Sequence, residues 1–187
     1  MNIPLYIAVA LIFLLLIIGV TIYNNLVAKR AMVENGWSDI DVQLKRRADL
    51  IPNLVDVVKG YAAHERGVLD EVIQRRNEAL SATDQSPERQ ALESAVSAGL
   101  SRLFALVEAY PNLKANEQFL QLQSELSDTE DKIAYARRFF NGAVRELNTA
   151  IQTFPAVLIA GPMGFQTRDF FEIEQVDRLL PEVNLKD

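Results

Sequence analysis

The sequence predicts an all-α protein, with an N-terminal transmembrane helix continuing into an elongated antiparallel helical bundle. Three observations carry this. The first 28 residues hold no charged side chain, and Ile3 to Ile22 form an almost continuous apolar run. Beyond that run, apolar residues recur at intervals of three and four through three long stretches. Prolines and short polar linkers separate those stretches, and no strand-like alternation interrupts them.

The run from Ile3 to Ile22 matches the roughly 20 residues a helix needs to cross a hydrocarbon core. Tyr23, Asn24 and Asn25 follow as interfacial residues, and Lys29 and Arg30 supply the first basic charge on the C-terminal flank. Basic flanks stay on the cytoplasmic side, so the expectation is a single-pass protein with an extracytoplasmic N-terminus and a cytoplasmic body. The rival reading is a cleaved secretory signal. It calls for a basic n-region and a small-x-small cleavage site, and neither is evident.

After the anchor, Trp37, Ile40, Leu44, Ala48, Ile51, Leu54, Val58 and Tyr61 fall on one side of a helix. The pattern resumes at Val68, Leu69, Val72 and Ile73, so without a break one helix would run from the membrane to about Leu80. Pro52 interrupts the pattern. It has no N–H and crowds the carbonyl four residues earlier, which predicts a bend near Leu50. Gly60 and Gly67 are either weaker discontinuities or points of close packing.

The linker Ser81-Ala82-Thr83-Asp84-Gln85-Ser86-Pro87 offers Ser86 as an N-cap and Pro87 as a first helical residue. The next helix carries Leu92, Val96, Leu100, Leu103, Val107 and Tyr110 and stops at Pro111, with Tyr110 to Asn116 as a turn. A last long element begins near Asn116 or Glu117 and presents Phe119, Leu122, Leu126, Ile133, Ala136, Phe140, Val144, Leu147, Ile151 and Phe154, with Thr129 filling the gap in the stripe. Ser127-Asp128-Thr129-Glu130 fits both a capping box and a helix interior, which leaves one helix or two. Pro155 should end it. Ala156 to Ala160, followed by Gly161-Pro162-Met163-Gly164-Phe165, is too short to span a membrane and reads as a packed connector or a partner-facing patch. Three amphipathic arms bury their stripes by folding antiparallel. The expected layout is an anchor over residues 1–28, a bundle over 29–160, and a connector and tail over 161–187.

The net charge of −6 argues against binding to nucleic acid, and the absence of Cys removes disulfides, thiolate metal sites and thiol nucleophiles. His64-Glu65 lacks the second histidine of a zinc-protease motif, and Tyr61-Ala62-Ala63-His64 lacks the ExxH spacing of di-iron sites. There is no P-loop and no GxGxxG. The serines fit caps, linkers and helix surfaces. No catalytic, metal or cofactor site, and no cofactor, is expected.

The polar residues that stand out are Lys45, Arg46, Arg47, Asp49, Asn53, Asp56 and Lys59. Their mixed signs at four-residue spacing suit solvent-facing or interhelical ion pairing, and an acidic partner or anionic lipid is the functional alternative. A second series, Glu125, Glu130, Arg137, Arg138, Asn141, Arg145 and Asn148, surrounds the stripe of the last arm. An antiparallel hairpin would bring part of it toward the first, fixing register while Trp37, Leu44 and Ile51 supply burial. Pro52, His64 and Glu65 complete this candidate network. Phe165, Phe170 and Phe171 form a candidate partner-facing tail, in which acids would orient aromatic anchors.

Several segments together resemble the bacterial LemA family: Tyr23-Asn24-Asn25-Leu26-Val27; Trp37-Ser38-Asp39-Ile40 onward through Ile51-Pro52-Asn53-Leu54-Val55; Val58-Lys59-Gly60-Tyr61-Ala62 with His64-Glu65; Tyr110-Pro111-Asn112-Leu113-Lys114-Ala115-Asn116; Thr129-Glu130; Ala136-Arg137-Arg138; and Phe154-Pro155. The resemblance covers nearly the whole chain. It implies a bacterial inner-membrane protein with an N-terminal anchor, a long helical domain on the cytoplasmic side and no generally established reaction. Phe140 and Leu147 stand where that family commonly has Tyr, and Gly142 where it has an acid, so packing rather than polar roles is expected there. The functional expectation is a membrane-anchored scaffold or adaptor that binds an unidentified membrane or cytoplasmic protein. A self-assembling homo-oligomer that organises membrane is the alternative, and an accessory subunit of a membrane protease ranks below both.

Overall fold

The computed structural model describes residues 3–83 and 85–171, and all regular structure among them is helical. The helices are α1 (Ile3–Lys59), α2 (Arg66–Ser81), α3 (Pro87–Val107), the single turn α4 (Pro111–Lys114), α5 (Glu117–Gln152) and the single turn α6 (Val157–Ala160). The part of the candidate tail beyond Phe171, which holds its acids Glu172, Glu174 and Asp177, lies outside the described residues.

The N-terminal part of α1 has nothing packed on it. An 18-residue window there has a mean hydropathy of 3.0, and none of it is buried. Phe13 and Leu15 remain 65% and 67% exposed. An unbroken apolar surface of this kind is costly in water and ordinary in lipid, where the helix satisfies its own backbone hydrogen bonds. One helix of this chain is therefore long and apolar enough to cross a membrane.

The continuous helix to Leu80 does not form. The chain leaves α1 at Lys59 and turns through residues 60–65, with Tyr61 and Ala62 N–H both donating to the Val58 carbonyl, before α2 begins. Pro52, by contrast, sits inside α1 without ending it. Its missing N–H leaves the Ala48 carbonyl without its helical donor, and Arg76 Nε of α2 donates to that oxygen at 2.9 Å. The neighbouring helix thus repairs the gap, so glycine at position 60 breaks the helix where proline at position 52 does not.

The remaining boundaries have local causes. Ser86 Oγ accepts the Arg89 N–H at 3.0 Å and Pro87 opens α3. Asn116 Oδ1 accepts the Phe119 N–H at 2.9 Å and opens α5, while Pro111 turns the expected 110–116 turn into α4. Residues 117–152 form one helix, in which Thr129 Oγ1 donates back to the Glu125 carbonyl at 2.7 Å.

Contacts divide the chain into two compact units: Met1–Ile40 with Tyr135–Phe170, and Asp41–Ala134 with Phe171. In the second, the end of α1, α2, α3 and the start of α5 enclose one core that includes Ile51, Leu54, Val72, Leu100, Leu103 and Phe119. Phe104 and Phe119 meet edge to face at 6.4 Å. α2 runs antiparallel to α1 and α3 to α2, as the contacts of Arg76 with Ala48 and of Arg102 with Glu71 show, and Asn116 at the start of α5 meets Tyr61 just past the end of α1. A Cβ at Gly99 would meet a Val72 methyl at 3.4 Å, which marks the close approach of α3 to α2.

In the first unit, Trp37 of α1 packs edge to face on Phe140 of α5 at 5.8 Å, and Lys29 pairs with Glu146 at 3.0 Å. Gly36 admits α5 closely, since a Cβ there would lie 3.1 Å from the Phe140 Cα. Leu26, Ala160 and Phe165 form a small separate core around the exit of the apolar run.

Candidate functional site

The inward positions of α1 follow a strict alternation of three and four: Val33, Trp37, Ile40, Leu44, Arg47, Ile51, Leu54 and Val58 are all buried. Such spacing keeps one seam facing its neighbours along the helix. Arg47 occupies a core position in that seam and is 0% exposed. In α3 the same spacing runs Arg89, Glu93, Val96, Leu100, Leu103 and Val107, so two further charges lie in register with the core.

These charges satisfy one another. Arg47 Nη2 donates to Glu93 Oε2 at 2.6 Å and to the Glu93 carbonyl at 3.1 Å, while Nη1 donates to Glu130 Oε1 at 2.6 Å and Ser97 Oγ at 2.7 Å. Glu93 Oε1 also accepts from Arg89 Nε at 3.3 Å, and Arg89 Nη2 reaches Asp41 Oδ1 at 2.9 Å. Two guanidinium groups and three carboxylates therefore link α1, α3 and α5. Burying a guanidinium is tolerable only when its donors are paired, and the planar fork suits simultaneous carboxylate contacts. This arrangement fixes the register of three helices. A helix that slid by one turn would strand a buried charge.

The polar series of α1 is split by this geometry. Arg47 turns inward, whereas Lys45, Arg46, Asp49, Asn53, Asp56 and Lys59 are exposed. Asn53 and Asp56 line a shallow polar groove with Gln118, Gln121 and Leu122 of α5. The Lys132 ammonium, hydrogen-bonded at 2.7 Å, holds the Asp128 carboxyl below its ordinary range, and the charge of Arg46 adds to the effect. His64 is exposed in the 60–65 turn. Glu65 accepts the Tyr110 hydroxyl at 3.1 Å, and that hydrogen bond, with burial and the carboxylate charge, raises the phenol's pKa.

On the last arm, Glu130 joins the Arg47 network. Arg138 lies over the Tyr135 ring at 4.4 Å, and Arg137 and Asn141 are partly buried within the first unit. Asn148 makes a reciprocal amide pair with the backbone of Arg168, at 2.8 Å in each direction. That pair draws the segment after α6 against α5 and seats Phe165 in the small core, between the Tyr23 ring at 5.7 Å and the Arg30 guanidinium at 5.3 Å. Phe165 and Phe171 are buried, and Phe170 is 46% exposed. Among the described residues, no group of three or more His, Asp or Glu side chains is placed to hold a metal ion.

Sequence reasoning singled out Arg47 and Glu130 but missed Arg89, Glu93, Asp41 and Ser97. The available signal was spacing. Arg89 and Glu93 continue the seam of Val96 and Leu100 backward by threes and fours, where the more hydrophobic Leu92 attracted attention instead.

A bundle with a buried ion network, joined to a bare apolar helix, defines a membrane-associated helical protein. Residues 36–185 match the LemA family, and the chain belongs to that family. It is similar to Magnetosome protein MamQ of Magnetospirillum gryphiswaldense, with 28% identity over 81% of this chain and 62% of that protein. Magnetosome protein MamQ 2 of Paramagnetospirillum magneticum is 26% identical over 80% of this chain and 64% of its own length. Protein LemA of Metamycoplasma hominis is 25% identical over 90% of this chain and 80% of that protein. The matches thus span less than two thirds of the length of the two MamQ proteins.

Proposed function

We propose that the chain is a membrane-anchored helical scaffold or adaptor that presents a protein-binding surface at the inner membrane face. In this reading residues 1–28 anchor, 29–160 form the bundle and 161–187 the connector and tail, with the N-terminus extracytoplasmic and the body cytoplasmic. The observation that carries it is the continuity of α1, which holds the bare apolar run and the bundle's inward seam in one helix. Whatever docks on the bundle is then confined near the membrane, where a raised effective concentration makes modest affinities sufficient.

The docking surface in this reading is the outward face of α1 from Lys45 to Lys59 with the groove at Asn53 and Asp56. Its side chains are exposed and of mixed sign, which suits an oriented polar contact. A second reading, self-assembly into a membrane-organising oligomer, is favoured by Tyr135 and Phe139, which leave an aromatic pair 66% and 48% exposed one turn apart on α5.

Photo-crosslinking residues placed at Asp49 and Asp56, and separately at Tyr135 and Phe139, in the full chain in cells test both. Dominant adducts to one other protein from the α1 positions support the adaptor. Dominant self-adducts from the α5 positions, with none to another protein from α1, replace it with the oligomer.

A further inference from the structure

From Leu147 to Thr167 the chain carries no charged side chain, its second such stretch after the anchor. The structure folds part of this stretch onto the exit of the apolar run, where Ala160 and Phe165 form a core with Leu26 and where Ile22, Val27, Ala150 and Ile151 pack against that core. The connection between those contacts turns its large apolar groups outward. Phe154 is 75% exposed, Leu158 65%, Val157 49% and Met163 44%. Four such side chains in one short connection form a patch rather than the scattered exposure of an ordinary surface.

Position identifies what covers the patch. Ile22 ends the apolar run, and Leu26 lies one turn further, about 6 Å along the axis at 1.5 Å per residue. A bilayer with a core of ~30 Å and a full thickness of ~40–45 Å leaves about 5–7 Å of headgroup region on each side. Side chains packed on Ile22 to Leu26 therefore stand where acyl chains give way to headgroups. Lys29 pairs with Glu146 and Arg30 lies on the Phe165 ring, and the patch itself, Phe154, Val157, Leu158 and Met163, carries no charge to select for anionic lipid.

We propose that the connection Phe154–Met163 is a second membrane contact, an interfacial wedge whose Phe154, Val157, Leu158 and Met163 side chains enter the acyl boundary of the leaflet from which α1 emerges. The proposal rests on the reading of α1 as a spanning anchor. A lone spanning helix leaves rotation about its axis free, and an apolar contact beside that axis removes this freedom, so the first unit meets the membrane with one fixed side. Insertion here is driven by apolar burial and is insensitive to the fraction of anionic lipid.

Because the chain has no Cys, single nitroxide labels can be placed without background. The full chain carrying Leu14→Cys, Leu158→Cys or Leu120→Cys is reconstituted in phosphatidylcholine vesicles with and without phosphatidylglycerol, and collision rates with oxygen and with an aqueous nickel chelate are read by electron paramagnetic resonance. Leu120, 47% exposed on α5, is the aqueous reference. The wedge predicts that the Leu158 label meets oxygen more often, and the chelate several-fold less often, than the Leu120 label in both lipid mixtures. Low collision with both reagents means that protein covers the site and overturns the proposal, as does aqueous behaviour at Leu158 while the Leu14 label stays deep. An aqueous Leu14 label refutes the anchor itself. Adding Phe154→Asp to the Leu158→Cys chain should raise chelate collision several-fold without moving the Leu14 label, and no change there also overturns the wedge.

Discussion

Trp37 and Arg47 both point into the protein from the same seam of α1, yet they are held by opposite chemistry. Trp37 meets Phe140 through apolar and edge-to-face contact, a contact that is broad and forgiving of small slips. Arg47 meets Glu93, Glu130 and Ser97 through directed hydrogen bonds, which are satisfied in one register and expensive in any other. The first region obtains burial from this seam, and the second obtains uniqueness.

The sharpest way to break the comparison is to remove one charge. Arg47→Met should destabilise the second unit by about 3–5 kcal/mol, because Glu93 Oε2 loses its partner in the core and only the Arg89 contact at Oε1 remains. Replacing Arg47, Arg89 and Glu93 together by Met should recover most of that loss while loosening register. Denaturant unfolding of the detergent-solubilised chain followed by circular dichroism reads the stability, and amide exchange reads the register. A triple variant as unstable as Arg47→Met would mean that the network contributes net stability rather than specificity.

Trp37→Ala should cost a similar or slightly smaller amount, about 3–5 kcal/mol less the relief of any local collapse. Unlike the arginine, this site should accept Trp37→Phe with much of the stability retained, and the same unfolding assay decides. Ser86→Ala removes only the cap of α3 and should cost about 1 kcal/mol. Arg102→Ala breaks an exposed pair with Glu71 and should fall below about 1 kcal/mol.

The smallest effect is a pH dependence. The Tyr110 phenol should ionise above the ordinary tyrosine value because the Glu65 carboxylate holds its proton. A folded pKa raised above the unfolded one gives stability that is complete below the ordinary tyrosine range and is lost as pH climbs through the folded value. Glu65→Gln should move the Tyr110 titration, followed by NMR of tyrosine ring carbons, back toward the ordinary value.

Much of the fold was legible because its causes are local. Ser86 and Pro87 announce the start of α3, Asn116 caps α5, and the spacing of Trp37 to Val58 shows the inward face of α1. The break at Gly60 was harder to read, since an apolar pattern that resumes at Val68 looks the same whether the helix continues or folds back. At Pro52 the expected bend leaves the helix unbroken, and the donor that completes the Ala48 carbonyl, Arg76, is distant in sequence. In the candidate site, hydropathy assigns Arg89 and Glu93 to the surface, and only the positions of their partners in other helices place them in the core. For Phe165 the sequence leaves a packed connector and a partner-facing patch equally open, and the hold of Asn148 on the backbone of Arg168 goes with the packed form.

The contact between Arg76 and the Ala48 carbonyl has a consequence of its own. In an ordinary α-helix an interior carbonyl already accepts from the N–H four residues on, so a neighbour must share it, as Arg47 shares the Glu93 carbonyl. By omitting one donor, Pro52 uncovers a single main-chain acceptor and gives a featureless stretch of α1 an address that α2 can recognise. Any other residue at position 52 would supply the missing N–H, and Arg76 would then have to share the Ala48 carbonyl with it.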